Sequence, residues 1–415
     1  RIDMAKRILA LLWAALLMIS AAGCGTQVPD ETTEPTLPPP AEVEVPYEPE
    51  TEIKKYEGVQ LRLLATMWDT EPEALVMQQA AEFFQRTTGA QVQILWAADP
   101  AAGLTGCDIF QASVPMLKEG LLSEALDLGP MAEAAGYQNK SYESLRRQVM
   151  DRCGYLAGIP QIPRVGGIYY LQDTFTAAGI QAVPGSWTEF LDICQTLTDA
   201  GYEPLALNSE DAALAAYLHL ERSVGASGLV KMEEEKRKFA EDEVLVDAAQ
   251  QIVDLVAGGN VLTAAYPSGW NKLGLSNAAM TVGDNGLCAA VEKACRMDLR
   301  WGVFPWPGTG AGTGSYVSSD LLCVSAGSEN PQAAFDFIML LCTGDFDQLR
   351  ADVSGGIGAD PANTGTIRGA KEILSLAGGF DGSLPDYGDT DVFTRLWNGK
   401  YKTGLQFAQS WDKAY

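Results

Sequence analysis

The chain has 415 residues, of which 47% are hydrophobic, and its 54 acidic and 29 basic residues give a net charge of −25. This length and composition are sufficient for two domains, each with its own core. Such an acidic balance excludes a nucleic-acid-binding protein, because those proteins need a basic surface to meet phosphate groups. It fits a water-exposed protein that acts outside the cytoplasm.

The first 24 residues have the features of a secretory signal. Lys6 and Arg7 precede an apolar run over residues 8–22, which is followed by Gly23 and Cys24. The run is too short to span a membrane comfortably, and its flanks are those of a cleaved signal. A cysteine directly after small residues resembles the lipobox of bacterial lipoproteins, in which Cys24 is lipidated and becomes the mature N-terminus. The alternative is a plain secretory signal with an incidental cysteine.

Residues 25–57 are predicted to form a disordered tether. They hold seven prolines and nine acidic residues, and their only basic residues are Lys54 and Lys55. A segment with low hydrophobicity and like charges cannot bury enough apolar surface to fold. In extended form the tether could reach roughly 100 Å, at about 3.1 Å per residue.

Seven further cysteines follow Cys24, and none of them belongs to a CxxC pair. Most have apolar neighbours, which is typical of free cysteines that pack as small buried side chains. An odd number of cysteines without paired spacing argues against a dense disulfide framework. One or two disulfide bridges are left as an alternative. The seven are Cys107, Cys153, Cys194, Cys288, Cys295, Cys323 and Cys342.

The first folded segment alternates strands with a helix, in the order of an α/β domain. Hydrophobic periodicity predicts strands over residues 59–66, 90–96 and 107–112, and a helix over residues 71–88. Ligands of such sheets bind beyond the carboxyl ends of the strands. Four candidate residues lie at those ends: Trp68, Asp69, Gln111 and Ser113.

The stretch 158–173 is predicted to cross between two lobes. Two prolines and two glycines bracket Arg164, and an apolar, strand-like run follows over residues 167–171. Proline fixes φ and disfavours helix before it, while glycine permits unusual backbone angles. We therefore expect a ligand between two lobes that this stretch joins.

The rest of the chain continues with helices and strands. Helices are predicted over residues 187–200, 212–225, 244–257 and 331–342, and strands over residues 277–283, 299–305 and 318–325. Ser186 is the expected N-cap of the first of these helices, and Glu189 has the capping-box spacing. Residues 308–314 hold four glycines but no lysine, so we predict a flexible loop between the lobes rather than a phosphate-binding loop.

The order of these segments resembles the extracellular solute-binding lipoproteins of ABC transporters, of the sugar-binding family 1 to which maltose-binding proteins belong. The resemblance covers nearly all of residues 59–415. It rests on eight stretches in order: GYLAGIP (154–160), GIYYLQDTF (167–175), AGI (178–180), SWTEF (186–190), AGYEP (200–204), AAMT (278–281), WGVFP (301–305) and NPQAAFDF (330–337).

This resemblance implies an α/β fold of the periplasmic-binding-protein type II, in which a multi-segment hinge joins two lobes around a ligand cleft. We expect residues 58–163 and 308–343 in lobe 1, and residues 164–307 and 344–415 in lobe 2. Members of the family are not enzymes and need no cofactor or metal. They capture a mono- or oligosaccharide and deliver it to membrane permease subunits. The chain is thus expected to be a monomer that a lipid on Cys24 holds at the extracytoplasmic face of the membrane.

The resemblance also implies ligand-binding residues, carried over loosely by position. They are Trp68, Asp69, Gln111, Ser113, Arg164, Asp284, Asn285, Trp306, Tyr316, Asp320 and Trp397. Each of these residues also has a purely structural interpretation. Tryptophan packs in a core more often than it carries a ligand, Asp284 and Asn285 form an ordinary turn equally well, and Arg164 could simply hold a hinge carbonyl.

Three other functions compete with sugar binding. The protein could bind a non-sugar solute such as a peptide or a polyamine. A glycosidase would need two carboxylates, and no spacing singles out a pair. Nucleophilic catalysis through histidine would need His219, the one histidine of the chain, which lies in an apolar helical stretch.

Overall fold

The structure is a computed structural model. It describes residues 54–67, 69, 71–97, 103–207, 209–225, 228–229, 231–232, 235–259, 261–263, 277–308, 310, 312–363, 367–376 and 391–414. The predicted signal with Cys24, and almost all of the predicted tether, lie outside the described residues. Within these ranges no helix has the length and apolar character that a membrane span requires.

The described strands and helices follow the predicted order. Strands β1 to β11 are Gln60–Ala65, Gln91–Trp96, Ile109–Ala112, Ile159–Pro160, Arg164–Leu171, Glu203–Leu207, Val261–Thr263, Ala278–Gly283, Trp301–Phe304, Tyr316–Ser318 and Leu321–Val324. Helices α1 to α14 are Pro72–Thr88, Val114–Met116, Gly129–Ala134, Glu143–Cys153, Gln172–Ala177, Trp187–Asp199, Ser209–Val224, Glu243–Ala257, Gly286–Cys295, Pro331–Cys342, Gly344–Val353, Ala370–Leu376, Asp391–Trp397 and Gly404–Ala414. The helix predicted over residues 331–342 is confirmed at both ends. The strand predicted over residues 318–325 is the shorter β11, and a separate strand, β10, precedes it.

Helix α6 begins at the predicted N-cap, Ser186. The Ser186 hydroxyl accepts a hydrogen bond from the backbone N–H of Glu189 at 3.2 Å, as an N-cap does. The Glu189 carboxylate reaches one residue further back than a capping box requires, and accepts the N–H of Gly185 at 2.6 Å. Both contacts satisfy donors that the first helical turn or its approach would otherwise leave unpaired.

The first sheet has the strand order β2-β1-β3-β11-β4. Strand β1 runs parallel to β2 and β3, while β11 is antiparallel to both β3 and β4. Strand β11 therefore returns from late in the chain to a sheet built mainly by its first third. Helices α1 and α10 cover this sheet with an apolar core that includes Phe84, Phe110 and Phe337.

The second sheet has the order β10-β5-β8-β6-β7, and β9 also pairs with β5. Along β5, Ile168 and Tyr170 enter the core under α6, α7 and α8, while Val165 and Tyr169 enter a separate core on the opposite face. Because both faces of β5 are covered, it has the continuous apolar sequence of a fully buried strand. Both tyrosines of β5 are thus buried core residues.

Two segments make contacts across the predicted lobe boundaries. Strand β10, expected in lobe 1, pairs with β5 in the second sheet. Helix α11, expected in lobe 2, contacts α1 of the first lobe, where the rings of Phe346 and Phe83 lie 5.5 Å apart. The lobe boundaries stay predictions, and we propose that the chain crosses at residues 319–320 and again after α11.

The glycine-rich loop over residues 308–314 is held by the end of α7, which differs from the flexible loop that we predicted. The guanidinium of Arg222 donates to the carbonyls of Gly308, at 2.6 Å, and of Gly312. The carboxylate of Glu221 accepts the N–H of Gly314 at 2.7 Å. We call this arrangement the glycine clamp. Its glycines are required by close approach to α7 rather than by flexibility.

The one histidine of the chain is a buried core residue. Trp306 Nε1 donates to His219 Nδ1 at 2.6 Å, and His219 Nε2 lies 2.9 Å from the carbonyl oxygen of Ala248. Since an indole N–H can only donate, Nδ1 must be the acceptor and Nε2 must carry the proton. Burial lowers the pKa of His219 to about 4, so the imidazole is neutral at pH 7.

We expect the stability of the protein to fall as the pH falls from about 6.5 to about 4. The unfolded chain takes up a proton on His219 near pH 6.5, but the folded protein does so only near pH 4. The free energy of unfolding should therefore drop by roughly 3 kcal/mol in total across this window. Urea unfolding at a series of pH values measures this slope.

The control is His219→Gln, because a glutamine can accept from Trp306 and donate to a carbonyl without titrating. Its stability should depend on pH less steeply than that of the wild type between pH 6.5 and 4. The only histidine of the chain is absent from this variant. Equal slopes for both proteins would show that His219 is not the group that titrates.

All seven cysteines that follow Cys24 are described, and all are free thiols. Six of them are buried, and Cys295 is partly buried. The prediction of small buried side chains is thus confirmed for these six. Burial raises the pKa of the Cys194 thiol to about 12, which keeps it protonated and unreactive.

Candidate functional site

A cavity of about 340 Å³ lies where elements of the first sheet meet elements of the second. We call it the cleft. Its lining is mostly polar and comes from the ends of strands, as expected for a ligand site of an α/β fold. Six predicted residues line it: Gln111, Ser113, Arg164, Asp284, Tyr316 and Asp320.

Gln111 is held at the end of β3 in a defined orientation. Its Oε1 accepts a hydrogen bond from the backbone N–H of Thr66 at 3.1 Å, which identifies the other amide atom as Nε2. That Nε2 donates to Asp320 Oδ2 at 3.3 Å. Because β3 pairs with β11, the residue that precedes β11 comes within reach of Gln111.

Arg164 and Asp284 face each other on the second sheet. The pairing of β5 with β8 sets Gly167 opposite Gly283, so Arg164 at the start of β5 lies near Asp284, which directly follows β8. Arg164 Nη1 lies 3.8 Å from Asp284 Oδ1. Both side chains are partly exposed, and such an ion pair contributes at most about 1 kcal/mol to stability. The pair can therefore open to contact a ligand at little cost.

Tyr316 reaches the cleft because its partner in β5 has no side chain. Gly166 is paired with Tyr316 across the sheet, and a Cβ on Gly166 would lie 1.8 Å from the tyrosine ring. The ring lies over the glycine backbone as a result. Burial raises the pKa of Tyr316 well above its usual value, and the nearby carboxylate of Asp284 adds to this. The hydroxyl thus stays protonated as a hydrogen-bond donor.

Two carboxylates of the cleft differ in their charge environment. Burial raises the pKa of Asp320, although Arg164 and the hydrogen bond from Gln111 oppose this rise. Burial acts in the same direction on Glu73, but Arg350 outweighs it and holds the pKa of Glu73 below its usual value. Glu73 is therefore an anion at neutral pH, whereas Asp320 is the more easily protonated of the two.

The amino-acid sequence matches the family of bacterial extracellular solute-binding proteins over residues 74–341. This chain belongs to that family. The matched range contains the second sheet, all strands of the first sheet except β1, and the six predicted residues that line the cleft. Proteins of the family bind substrates for transport, so this solute-binding protein is assigned to the same broad class. No curated protein matches it in sequence.

Solved structures confirm the type II periplasmic-binding-protein fold of this solute-binding protein. A "Chitin oligosaccharide binding protein" is 19% identical, with a TM-score of 0.62 over 86% of this chain and 98% of that one. The apo-form of RafE from Streptococcus pneumoniae is 15% identical, with a TM-score of 0.65 over 86% and 96%. The putative binding protein MsmE from Bacillus subtilis, in an open conformation, is 15% identical, with a TM-score of 0.66 over 88% and 97%. At these identities the likeness shows the fold alone.

Three predicted ligand residues lie in the core of the solute-binding protein rather than in the cleft. Trp306 is fully buried against His219, and Trp397 Nε1 donates to the carbonyl of Ala212 at 2.8 Å. Asn285 is fully buried as well. Its Oδ1 accepts the backbone N–H of Val165, and its Nδ2 donates to the carbonyl of residue 163, so it holds the crossover in place. Their polar atoms have protein partners, which is the usual state of buried polar groups. The structure thus does not bring these three predicted residues to the cleft.

The remaining two predicted residues precede α1. Asp69 is exposed and does not line the cleft. Trp68 lies outside the described residues of the solute-binding protein. Ligand contact by Trp68 therefore stays a prediction.

Several polar cleft residues carry no direct signal in the sequence, among them Glu73, Gln148 and Gln161. Glu73 resembles an ordinary acidic residue in the first turn of a helix, and Gln148 an ordinary residue of α4. Gln161 lies within the predicted crossover, three residues before the candidate Arg164. The presence of a neighbouring candidate was the only available signal. In the described part of the protein, no cluster of His, Cys, Asp and Glu side chains is arranged to hold a metal ion.

Proposed function

We propose that this solute-binding protein captures a mono- or oligosaccharide in the cleft and delivers it unchanged to the permease of an ABC importer. The observation that carries the proposal is the polar lining of the cleft, with donors and acceptors contributed by both sheets. Structurally similar proteins are described in complex with raffinose and with stachyose. Their likeness supports a sugar as the first ligand class to test.

The chemistry of the cleft fits a ligand rich in hydroxyl groups. A hydroxyl both donates and accepts, and the cleft offers acceptors at Asp284 and Asp320 and donors at Arg164, Gln111 and Tyr316. Its volume of about 340 Å³ falls at the lower end of the range of small-molecule sites. A ligand that contacts both lobes favours the closed state, because only differential contacts shift such an equilibrium.

We further propose that the protein is a lipid-anchored monomer on the extracytoplasmic side of the membrane. The support for this is the sequence around Cys24 and the acidic, proline-rich tether that follows. A tether that reaches roughly 100 Å leaves the receptor free to meet its permease. Palmitate labelling of the wild type and of Cys24→Ala tests the anchor, and label on both proteins would contradict it.

A thermal-shift screen followed by calorimetry tests the ligand class. The panel contains D-galactose, raffinose, stachyose, chitin oligosaccharides, spermidine and a tripeptide mixture. A bound sugar at a hundredfold excess over Kd should stabilise the protein by about 2.7 kcal/mol and should be recovered intact. A shift with spermidine or peptides alone would overturn the sugar assignment, and cleavage of the sugar would indicate a glycosidase.

We expect Arg164→Ala to weaken sugar binding by about 10-fold to 100-fold, because a hydrogen bond from a charged group contributes about 1.5–3 kcal/mol. The free energy of unfolding of the unliganded protein should change by less than about 1 kcal/mol, since the Arg164–Asp284 pair is partly exposed. Calorimetry and urea unfolding measure the two effects. A large loss of unliganded stability would show Arg164 to be structural instead.

The matched control is Arg300→Ala. Arg300 forms an exposed ion pair with Asp173 and does not line the cleft. This variant removes the same type of side chain from a similar pair on the second lobe. Its affinity for the sugar should equal that of the wild type.

A further inference from the structure

Gln161 is fixed in position at the floor of the cleft. It lies between β4 and β5, and its backbone N–H donates to the carbonyl of Asp320 at 2.9 Å. Its side chain is 2% exposed and lines the cleft. Both its backbone and its side chain are therefore confined before any ligand arrives.

The orientation of the Gln161 amide follows from its partner. Arg350 Nη2 lies 2.5 Å from Gln161 Oε1. A guanidinium can only donate hydrogen bonds, so the atom that faces it must be the amide oxygen. Arg350 is itself fully buried and is held by the carboxylate of Glu73 and the carbonyl of Leu341. The amide of Gln161 consequently cannot flip without losing this contact.

This orientation leaves Gln161 Nε2 as a buried donor without a hydrogen-bond partner among the described residues. Buried polar groups nearly always have partners, and an exception needs an explanation. The neighbouring amide of Gln111 shows the contrast, because its Nε2 already donates to Asp320. An unpaired donor at a cleft floor is what a ligand acceptor would complete.

We infer that Gln161 is a specificity-determining residue of the cleft, whose Nε2 donates a hydrogen bond to an oxygen atom of the bound solute. Arg350 is the positioning residue that fixes this donor. The identity of the solute as a sugar rests on the proposed function, and the role of the donor does not.

This donor selects ligands by chemical class. A hydroxyl, ether or carbonyl oxygen accepts from an N–H group, whereas a protonated amine has no lone pair to offer. An ammonium group at this position would leave Nε2 unpaired and would face the donors of Arg164 as well. The floor of the cleft therefore favours a neutral, oxygen-rich ligand over a polyamine, although Asp284 and Asp320 are acidic.

The test compares Gln161→Met and Gln161→Glu with the wild type by calorimetry, with the panel sugar that gives the largest thermal shift as the probe. Gln161→Met removes the donor. Gln161→Glu keeps an oxygen towards Arg350 and turns a second oxygen to the cleft. Both should weaken binding by about 10-fold or more, as expected when a buried hydrogen bond to the ligand is lost.

Gln172→Met is the matched control. The amide of Gln172 donates to the carbonyl of Trp301 at 2.6 Å and does not line the cleft. This variant should keep the affinity of the wild type within about 3-fold and should lower the melting temperature, because it breaks a satisfied contact. Gln161→Met should also lower the melting temperature, because Arg350 loses an acceptor, but unlike Gln172→Met it should lower the affinity.

Binding within about 3-fold of the wild type in both Gln161 variants would overturn the inference. A loss of affinity in Gln161→Met but not in Gln161→Glu would also overturn it, because both variants lack the Nε2 donor. If spermidine binds and no sugar does, the proposed function fails. The inference fails with it, because spermidine has no oxygen atom to accept from Nε2. A peptide ligand that loses affinity in both Gln161 variants would instead overturn the sugar assignment and keep the inference, since its carbonyl oxygens can accept from Nε2.

Discussion

Replacing Arg350 with methionine is expected to lower the free energy of unfolding by about 3–5 kcal/mol. The guanidinium of Arg350 has no exposed surface, and its Nη2 lies 2.5 Å from Glu73 Oε1. Without it, the largely buried carboxylate of Glu73, whose side chain is 16% exposed, keeps only the hydroxyl of Ser354 as a described side-chain partner. An uncompensated buried charge is among the most destabilising changes in a protein. Urea unfolding at pH 7, followed by tryptophan fluorescence, measures the loss.

Arg300→Met provides the control for Arg350. It removes the same charge from an exposed pair with Asp173, and the expected loss is less than about 1 kcal/mol. The double variant Arg350→Met with Glu73→Gln should recover part of the stability, because it removes both charges. If Arg350→Met were as stable as Arg300→Met, the buried ion pair would contribute nothing.

Gly312→Ala is expected to lower the free energy of unfolding by about 3 kcal/mol. A Cβ at this position would lie 1.9 Å from the carbonyl oxygen of Glu221 at the end of α7. That atom belongs to the backbone of a helix, so it cannot move aside as the tip of a side chain could. The glycine clamp must therefore shift, and Arg222 would lose its hydrogen bond to the carbonyl of Gly312. Thermal and urea unfolding both report the loss.

Gly327→Ala is the matched glycine control. The nearest atom to a Cβ there is Ser325 Oγ, at 3.8 Å, which is an ordinary contact. The expected change is within about 0.5 kcal/mol. Arg222→Ala should resemble Gly312→Ala in its effect, because it releases the same clamp from the other side. A neutral Gly312→Ala would show that the loop is as flexible as its composition predicted.

The cleft residues that lie at strand ends could be predicted from the sequence. Gln111, Arg164 and Asp284 lie at or beside the ends of apolar runs, and the ends of neighbouring strands meet at one edge of a sheet. Aromatic residues were predicted less well. Trp306 and Trp397 have the residue type of a sugar platform, but residue type does not reveal which side of an element faces the core.

The sequence by itself determined the elements and their local ends. Periodicity over a few turns set helix α10 at Pro331–Cys342, and the Ser186 cap depends on a residue only three positions away. Only the tertiary structure decided which distant residues contact one another. Gln161 and Arg350 are 189 positions apart, yet the arginine fixes the orientation of the amide and so the chemistry of the cleft floor. Local patterns carry no information about such a pair, because its energy depends on burial and contacts that exist only when both sheets have formed.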